Sequence, residues 1–210
     1  PSPGLEGASY LYVNPLQVRG GRYVRSGPDG AGAEDIKRPA WHSCACCPPN
    51  IMRLFSSLHE YLLTTSGDAI QVHQYADARA DVTLRAGDVA LEMTTNYPWE
   101  GAVAIQLLAS PAAPWTLALR IPGWAQTYTV RVNDQPVDGT LDAQGYLTLA
   151  RTWHAGDKVA IDLPMQPTWI IPNPRVDAIR GTVALERGPL VYCFESHDQP
   201  AAVDMADVQV

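Results

Sequence analysis

The sequence predicts a mainly β chain: an antiparallel β-sandwich over residues 68–165, preceded by a strand, a loop and one helix. Three observations predict it. Hydrophobic periodicity switches from helical to alternating at Gly67-Asp68. Beyond that point short β-rich runs recur at close spacing, separated by turn-forming residues. Nothing there alternates strands with helices, as a parallel sheet would require.

In chain order, Ser9-Tyr10-Leu11-Tyr12-Val13-Asn14 is rich in β-formers and is stopped by Pro15. The segment from there to Pro39 reads as loop, with Gly20, Gly21, Gly27, Pro28, Gly30 and Gly32. Its Arg19, Arg22, Arg25, Lys37 and Arg38 form either a solvated basic loop or a grip for an acidic or sugar partner. A helix is predicted from about Pro49 to Thr64, packed outside the sandwich. Pro48 and Pro49 suit a first turn, where no backbone donor is needed. Ile51, Leu54, Phe55, Leu58, Tyr61 and Leu62 then recur at spacings of three and four. Predicted strands follow at 70–75, 81–85, 89–94, 102–108, 116–121, 128–132, 146–149 and 159–163. Turns such as Tyr97-Pro98-Trp99-Glu100-Gly101, Asn133-Asp134, Gln144-Gly145 and Ala155-Gly156-Asp157 separate them. A hairpin across Arg187-Gly188-Pro189 opens a further β element over 166–210.

The composition narrows the function. Fifteen Lys and Arg against 22 Asp and Glu leave a net charge of −7, which argues against nucleic acid and anionic membrane as partners. No stretch approaches the roughly 18 apolar residues of a membrane span. The chain opens on Pro1-Ser2-Pro3 with no readable targeting signal, and both ends read as cuts in a longer chain.

Chemistry concentrates in Cys44-Ala45-Cys46-Cys47-Pro48-Pro49-Asn50, which holds three of the four cysteines. Such clustering is unlike a disulfide scaffold and favours a reducing compartment such as the cytoplasm. Thiolates are nucleophiles and soft metal ligands, and the partial positive charge of a helix N-terminus favours them. Structural metal, catalysis and simple packing all remain open on these residues, because no second cysteine cluster completes a four-ligand site. Cys193, in Leu190-Val191-Tyr192-Cys193-Phe194, reads as a buried structural thiol. Trp99, Trp115, Trp124, Trp153 and Trp169 could form a sugar platform, but in a sandwich they read first as core or interface residues.

The cysteine segment, followed by Arg53-Leu54, resembles the signature of the bacterial and fungal β-L-arabinofuranosidase family, glycoside hydrolase family 127. Tyr12-Val13-Asn14-Pro15-Leu16 and Glu186-Arg187-Gly188-Pro189-Leu190-Val191-Tyr192 resemble two further family segments, in the same order. The resemblance implies a retaining glycosidase with an (α/α)6-barrel followed by β-sandwich domains. Residues 1–67 are then the end of the barrel, 68–165 a sandwich, and 166–210 the start of another β element. It implies Cys46 as nucleophile, Cys46 and Cys47 as zinc ligands, and an arabinose-containing glycan as substrate. Tyr12 is a candidate substrate contact, with packing on the barrel as the equal alternative. Trp41, His42 and Cys44 read as structural. In the family the acid/base glutamate and the other zinc ligands lie on the N-terminal side of the Tyr-Val-Asn-Pro segment. This polypeptide alone is therefore expected to be inactive, to hold zinc weakly or not at all, and to self-associate through an exposed helix. The competing readings are a non-catalytic carbohydrate-binding sandwich and a structural zinc or thiol module.

Overall fold

Alternation of apolar and polar side chains builds the larger part of the molecule. The computed structural model describes residues 46–194 together with 2–3, 8–11, 22–24 and 33–35. The chain divides into two units, one of Pro1–Ser56, Ile170–Ala184 and Cys193–Val210, the other of Ser57–Trp169 and Leu185–Tyr192.

In the first unit β1 (Ser2–Pro3) pairs antiparallel with β2 (Tyr10–Leu11), and β3 (Arg22–Val24) with β4 (Ala33–Asp35). The β3–β4 pair lies where only loop was expected, because Gly-rich sequence hides short strands from a pattern search. The helix α1 (Cys47–Ser57) belongs to this unit except for its last residue. It begins two residues before its predicted start and ends well before Thr64. The chain tightens into a 3-10 turn at Leu58–Tyr61 and then enters β5 (Leu63–Ser66). The carbonyl of Leu62 accepts hydrogen bonds from the backbone N–H groups of His73 (2.8 Å) and Gln74 (3.3 Å). Strand pairing thus captures residues whose apolar spacing alone would continue the helix. No helix among the described residues is long and apolar enough to cross a membrane.

The second unit is a two-sheet sandwich. After β5 come β6 (Ala69–Val72), β7 (Ala78–Leu84), β8 (Gly87–Thr95), β9 (Ala102–Ala109) and β10 (Trp115–Arg120). They are followed by β11 (Thr129–Val132), β12 (Gln135–Pro136), β13 (Tyr146–Arg151) and β14 (Lys158–Asp162). One sheet has the order β13-β10-β6-β5 and the other β12-β11-β14-β9-β8-β7. All eight predicted strands are present. The pairing is antiparallel except between β6 and β10, which run parallel. These two are joined by an excursion through β7, β8 and β9 of the opposite sheet, so their relative direction is not set by a hairpin. A smaller sheet of β15 (Pro167–Ile170), β16 (Ala184–Arg187) and β17 (Leu190–Tyr192) contains the expected hairpin across Gly188-Pro189.

Inward residues of both large sheets form one buried cluster. Ile70, Val72, Leu117, Leu119 and Leu147 come from the four-stranded sheet, and Leu91, Val103, Ile105, Leu107, Val159 and Ile161 from the six-stranded one. Trp115 and Trp153 join the cluster with ring centroids 5.6 Å apart, and Trp115 Nε1 donates to Ser110 Oγ at 3.0 Å. Trp99 and Trp169 are exposed and Trp124 is half-buried, so the tryptophans divide between core and surface.

Polar groups secure the turns. The two-residue turn between β11 and β12 puts Asn133 and Asp134 at φ of 50° and 64°, the left-handed pair a tight hairpin needs. Asn133 Nδ2 donates to Asp157 Oδ1 at 2.7 Å, the backbone N–H of His154 donates to Asp157 Oδ2 at 2.9 Å, and the Lys158 N–H donates to Asn133 Oδ1 at 2.8 Å. Burial works against the Asp157 charge, but these hydrogen bonds and the nearby bases outweigh it and hold the carboxyl below its ordinary range. His73 lies between two hydroxyls, with Nδ1 toward Tyr146 Oη and Nε2 toward Thr64 Oγ1, which ties β5 and β6 to β13.

Candidate active site

The chemistry-bearing segment sits at the start of α1. Cys46 precedes the helix and Cys47 is its first residue, followed by Pro48 and Pro49. A residue in the Cys46 position usually caps the helix by accepting from the N–H groups two and three places on. Here both of those places are prolines, which have no N–H. Pro48 and Pro49 therefore offer the Cys46 side chain no N–H at the usual capping positions. The first turn of the helix itself holds no acidic residue.

Cys46 is exposed and Cys47 half-buried, with their Sγ atoms 3.8 Å apart. Two thiolates on one tetrahedral zinc, at Zn–S of about 2.3 Å, stand about 3.8 Å apart. The pair therefore fits as two of the four donors of a zinc site. It is poorly suited to a disulfide with each other: consecutive Cα atoms lie about 3.8 Å apart, below the roughly 4.4–6.8 Å that ordinary disulfides span. Among the described residues no group of three or more His, Cys, Asp or Glu side chains could hold a metal.

Two residues behind the pair carry a hydrogen-bond chain that motif reading left without a role. Asn50 Nδ2 donates to the Cys46 carbonyl at 2.7 Å, and Arg53 Nη1 donates to Asn50 Oδ1 at 2.9 Å. The signal was available in the sequence: Cys46, Asn50 and Arg53 are spaced by four and three, so a helix brings them to one face.

Tyr12, Trp41, His42 and Cys44 lie outside the described residues. Cys193 is exposed rather than buried, as are its neighbours Val191, Tyr192 and Phe194. An apolar run marks a strand here, but the small sheet leaves it uncovered.

Comparison with known proteins covers nearly all of the chain. Residues 2–60 match the family described as beta-L-arabinofuranosidase, GH127 catalytic domain, residues 69–165 its middle domain, and residues 167–210 the glycoside hydrolase family 127 C-terminal domain. A non-reducing end beta-L-arabinofuranosidase of Bifidobacterium longum subsp. longum is 36% identical over 209 residues, covering 93% of this chain. A crystal structure of a GH127 beta-L-arabinofuranosidase from Geobacillus stearothermophilus T6 is 38% identical with a TM-score of 0.79, over 94% of this chain and 31% of that one. A further GH127 beta-arabinofuranosidase structure is 33% identical with a TM-score of 0.75, over 90% of this chain and 30% of that one. The chain spans 30% of the length of the Bifidobacterium relative.

Proposed function

The chain belongs to glycoside hydrolase family 127, and on that premise we propose that it carries the nucleophile segment of a retaining enzyme that releases L-arabinofuranosyl residues from plant glycans. The observation that carries this reading is the Cys46–Cys47 pair at the helix start, with sulfurs 3.8 Å apart, inside the segment matched to the catalytic domain.

In the proposed reaction Cys46 acts as the nucleophile. Its thiolate attacks the anomeric carbon, the glycosidic C–O bond breaks, and the leaving oxygen takes a proton from an acid. Water then attacks the same carbon, the C–S bond breaks, its electron pair returns to the Cys46 sulfur, and a base removes the proton of water. Two inversions give net retention. A thiol here replaces the second carboxylate of the usual pair. Held by Cys46 and Cys47, zinc would keep both sulfurs deprotonated and make Cys46 a better leaving group. The acid/base and the other two donors are not assigned to residues of this chain. We therefore read the 210 residues alone as inactive and the activity as that of a longer polypeptide.

In that longer enzyme, Cys46→Ser should lower kcat on a β-L-arabinofuranoside by on the order of 10³-fold or more, because a serine hydroxyl is a poor zinc ligand and is not ionised at neutral pH. Cys47→Ser should reduce zinc content first and turnover in consequence. Near-normal rates for Cys46→Ser would remove the nucleophile assignment.

A further inference from the structure

We propose that Asn50 is a positioning residue for the thiol pair, and that Arg53 positions Asn50 in turn. The inference rests on reading Cys46 and Cys47 as the metal-binding, nucleophilic pair, and extends it to what fixes their geometry.

A helix ordinarily secures its first residues through its N-terminal N–H groups, which capping side chains take up. Pro48 and Pro49 delete two of those donors. The Cys46 carbonyl still accepts the first backbone bond of the helix, and it lies in the peptide between two side chains that must keep a set separation. The Asn50 carboxamide adds a second donor there: its Nδ2 donates to the Cys46 carbonyl at 2.7 Å, in the peptide that leads directly to Cys47. An amide can bind in either of two flipped orientations, and only one offers nitrogen to that carbonyl. Arg53 selects it, because a guanidinium has only donors and its Nη1 lies 2.9 Å from Asn50 Oδ1. The chain Arg53–Asn50–Cys46 is therefore polar in one direction, from guanidinium through carboxamide to backbone carbonyl. Its members are four and three residues apart on one helix, so the helix itself holds them in register. Rotation about the Cys46–Cys47 peptide would swing the two sulfurs apart from 3.8 Å. Groups behind metal ligands matter in this way, and their loss typically costs about 10–100-fold in metal affinity.

Cadmium(II), softer than zinc and so a stronger thiolate binder, titrated into the 210-residue chain in a Cys44→Ser/Cys193→Ser background, tests the proposal without requiring turnover. Sulfur-to-cadmium charge-transfer absorbance reports both affinity and the number of thiolates bound. Asn50→Asp keeps an acceptor for Arg53 and suits the start of a helix, but cannot donate from nitrogen to the Cys46 carbonyl. Asn50→Ala removes both roles. The expected result is a loss of cadmium affinity of about 10–100-fold in both variants, or absorbance falling to that of one thiolate, with helical circular dichroism unchanged in Asn50→Asp. Wild-type binding by Asn50→Asp would overturn the proposal, even if Asn50→Ala were impaired, since that pattern marks a helix-stabilising role. Cys46→Ser and Cys47→Ser run alongside. If they bind cadmium as the parent does, the metal-pair reading itself fails; if they lose it while both Asn50 variants keep it, only the positioning role fails.

Discussion

Tyr75 shows how one buried side chain ties the sandwich to pH. Its hydroxyl donates to the Arg120 carbonyl at 2.6 Å, and its ring meets Tyr97 edge to face at a centroid distance of 6.0 Å. Burial raises the phenol pKa far above its ordinary 10.0, with Tyr97 adding to the effect. A raised folded pKa means that the stability this group contributes is fully present below the unfolded value and is lost as pH rises beyond it. Thermal stability should therefore fall above about pH 10, where the unfolded phenol ionises and the folded one does not. Tyr75→Phe should cost about 1 kcal/mol at neutral pH through the lost hydrogen bond, and its disadvantage should shrink above pH 10. Melting curves of both proteins from pH 7 to 11 check this; parallel curves throughout would contradict it. At this scale the sequence was only partly legible. Cys46 and Cys47 were marked by clustering beside two prolines, whereas the partners of His73 were not, since Thr64 and Tyr146 meet it only through sheet pairing.

Among the elements, α1 and the β9 entry carry the sharpest consequences. The apolar spacing of α1 was readable, yet it does not report burial: Met52 and Phe55 are 69% and 68% exposed. Exposed large side chains on one helix favour association with another apolar surface. The 210-residue chain should self-associate at high concentration, and Phe55→Glu should shift it toward monomer in sedimentation velocity. A wild-type chain that stays monomeric across the same range would contradict this. At Gly101, just before β9, an added Cβ would lie 1.9 Å from the Leu163 carbonyl oxygen, while the Leu163 N–H donates to the Gly101 carbonyl at 3.0 Å. Neither backbone can retreat without breaking that hydrogen bond. Gly101→Ala should destabilise the sandwich by about 3 kcal/mol, the upper end for overpacking, read as a lower urea midpoint; an unchanged midpoint would refute the close approach. The sequence marked this glycine only as part of a turn, because close backbone approach leaves no periodic trace. The same holds for β5 and β15, whose residues are mostly exposed and so lack the alternation by which the core strands were found.

Across the whole molecule, the sandwich was legible because its strands are buried on one face and turn residues separate them. The parallel β6–β10 pairing was not, because it depends on how the chain crosses between sheets. The site was legible in its reactive atoms and hidden in its supports. Its thiols stand in one short motif, while the hydrogen-bond chain we propose orients them is assembled only by the folded helix. Membership in glycoside hydrolase family 127 joins these pieces into one claim, that Cys46 bonds to the sugar during turnover. The most direct test is mass spectrometry of the longer enzyme, acid-quenched while turning over a β-L-arabinofuranoside and then digested. The account predicts one pentosyl group on the peptide containing Cys46, absent in Cys46→Ser. A pentosyl group on a carboxylate peptide, with Cys46 unmodified, would contradict it.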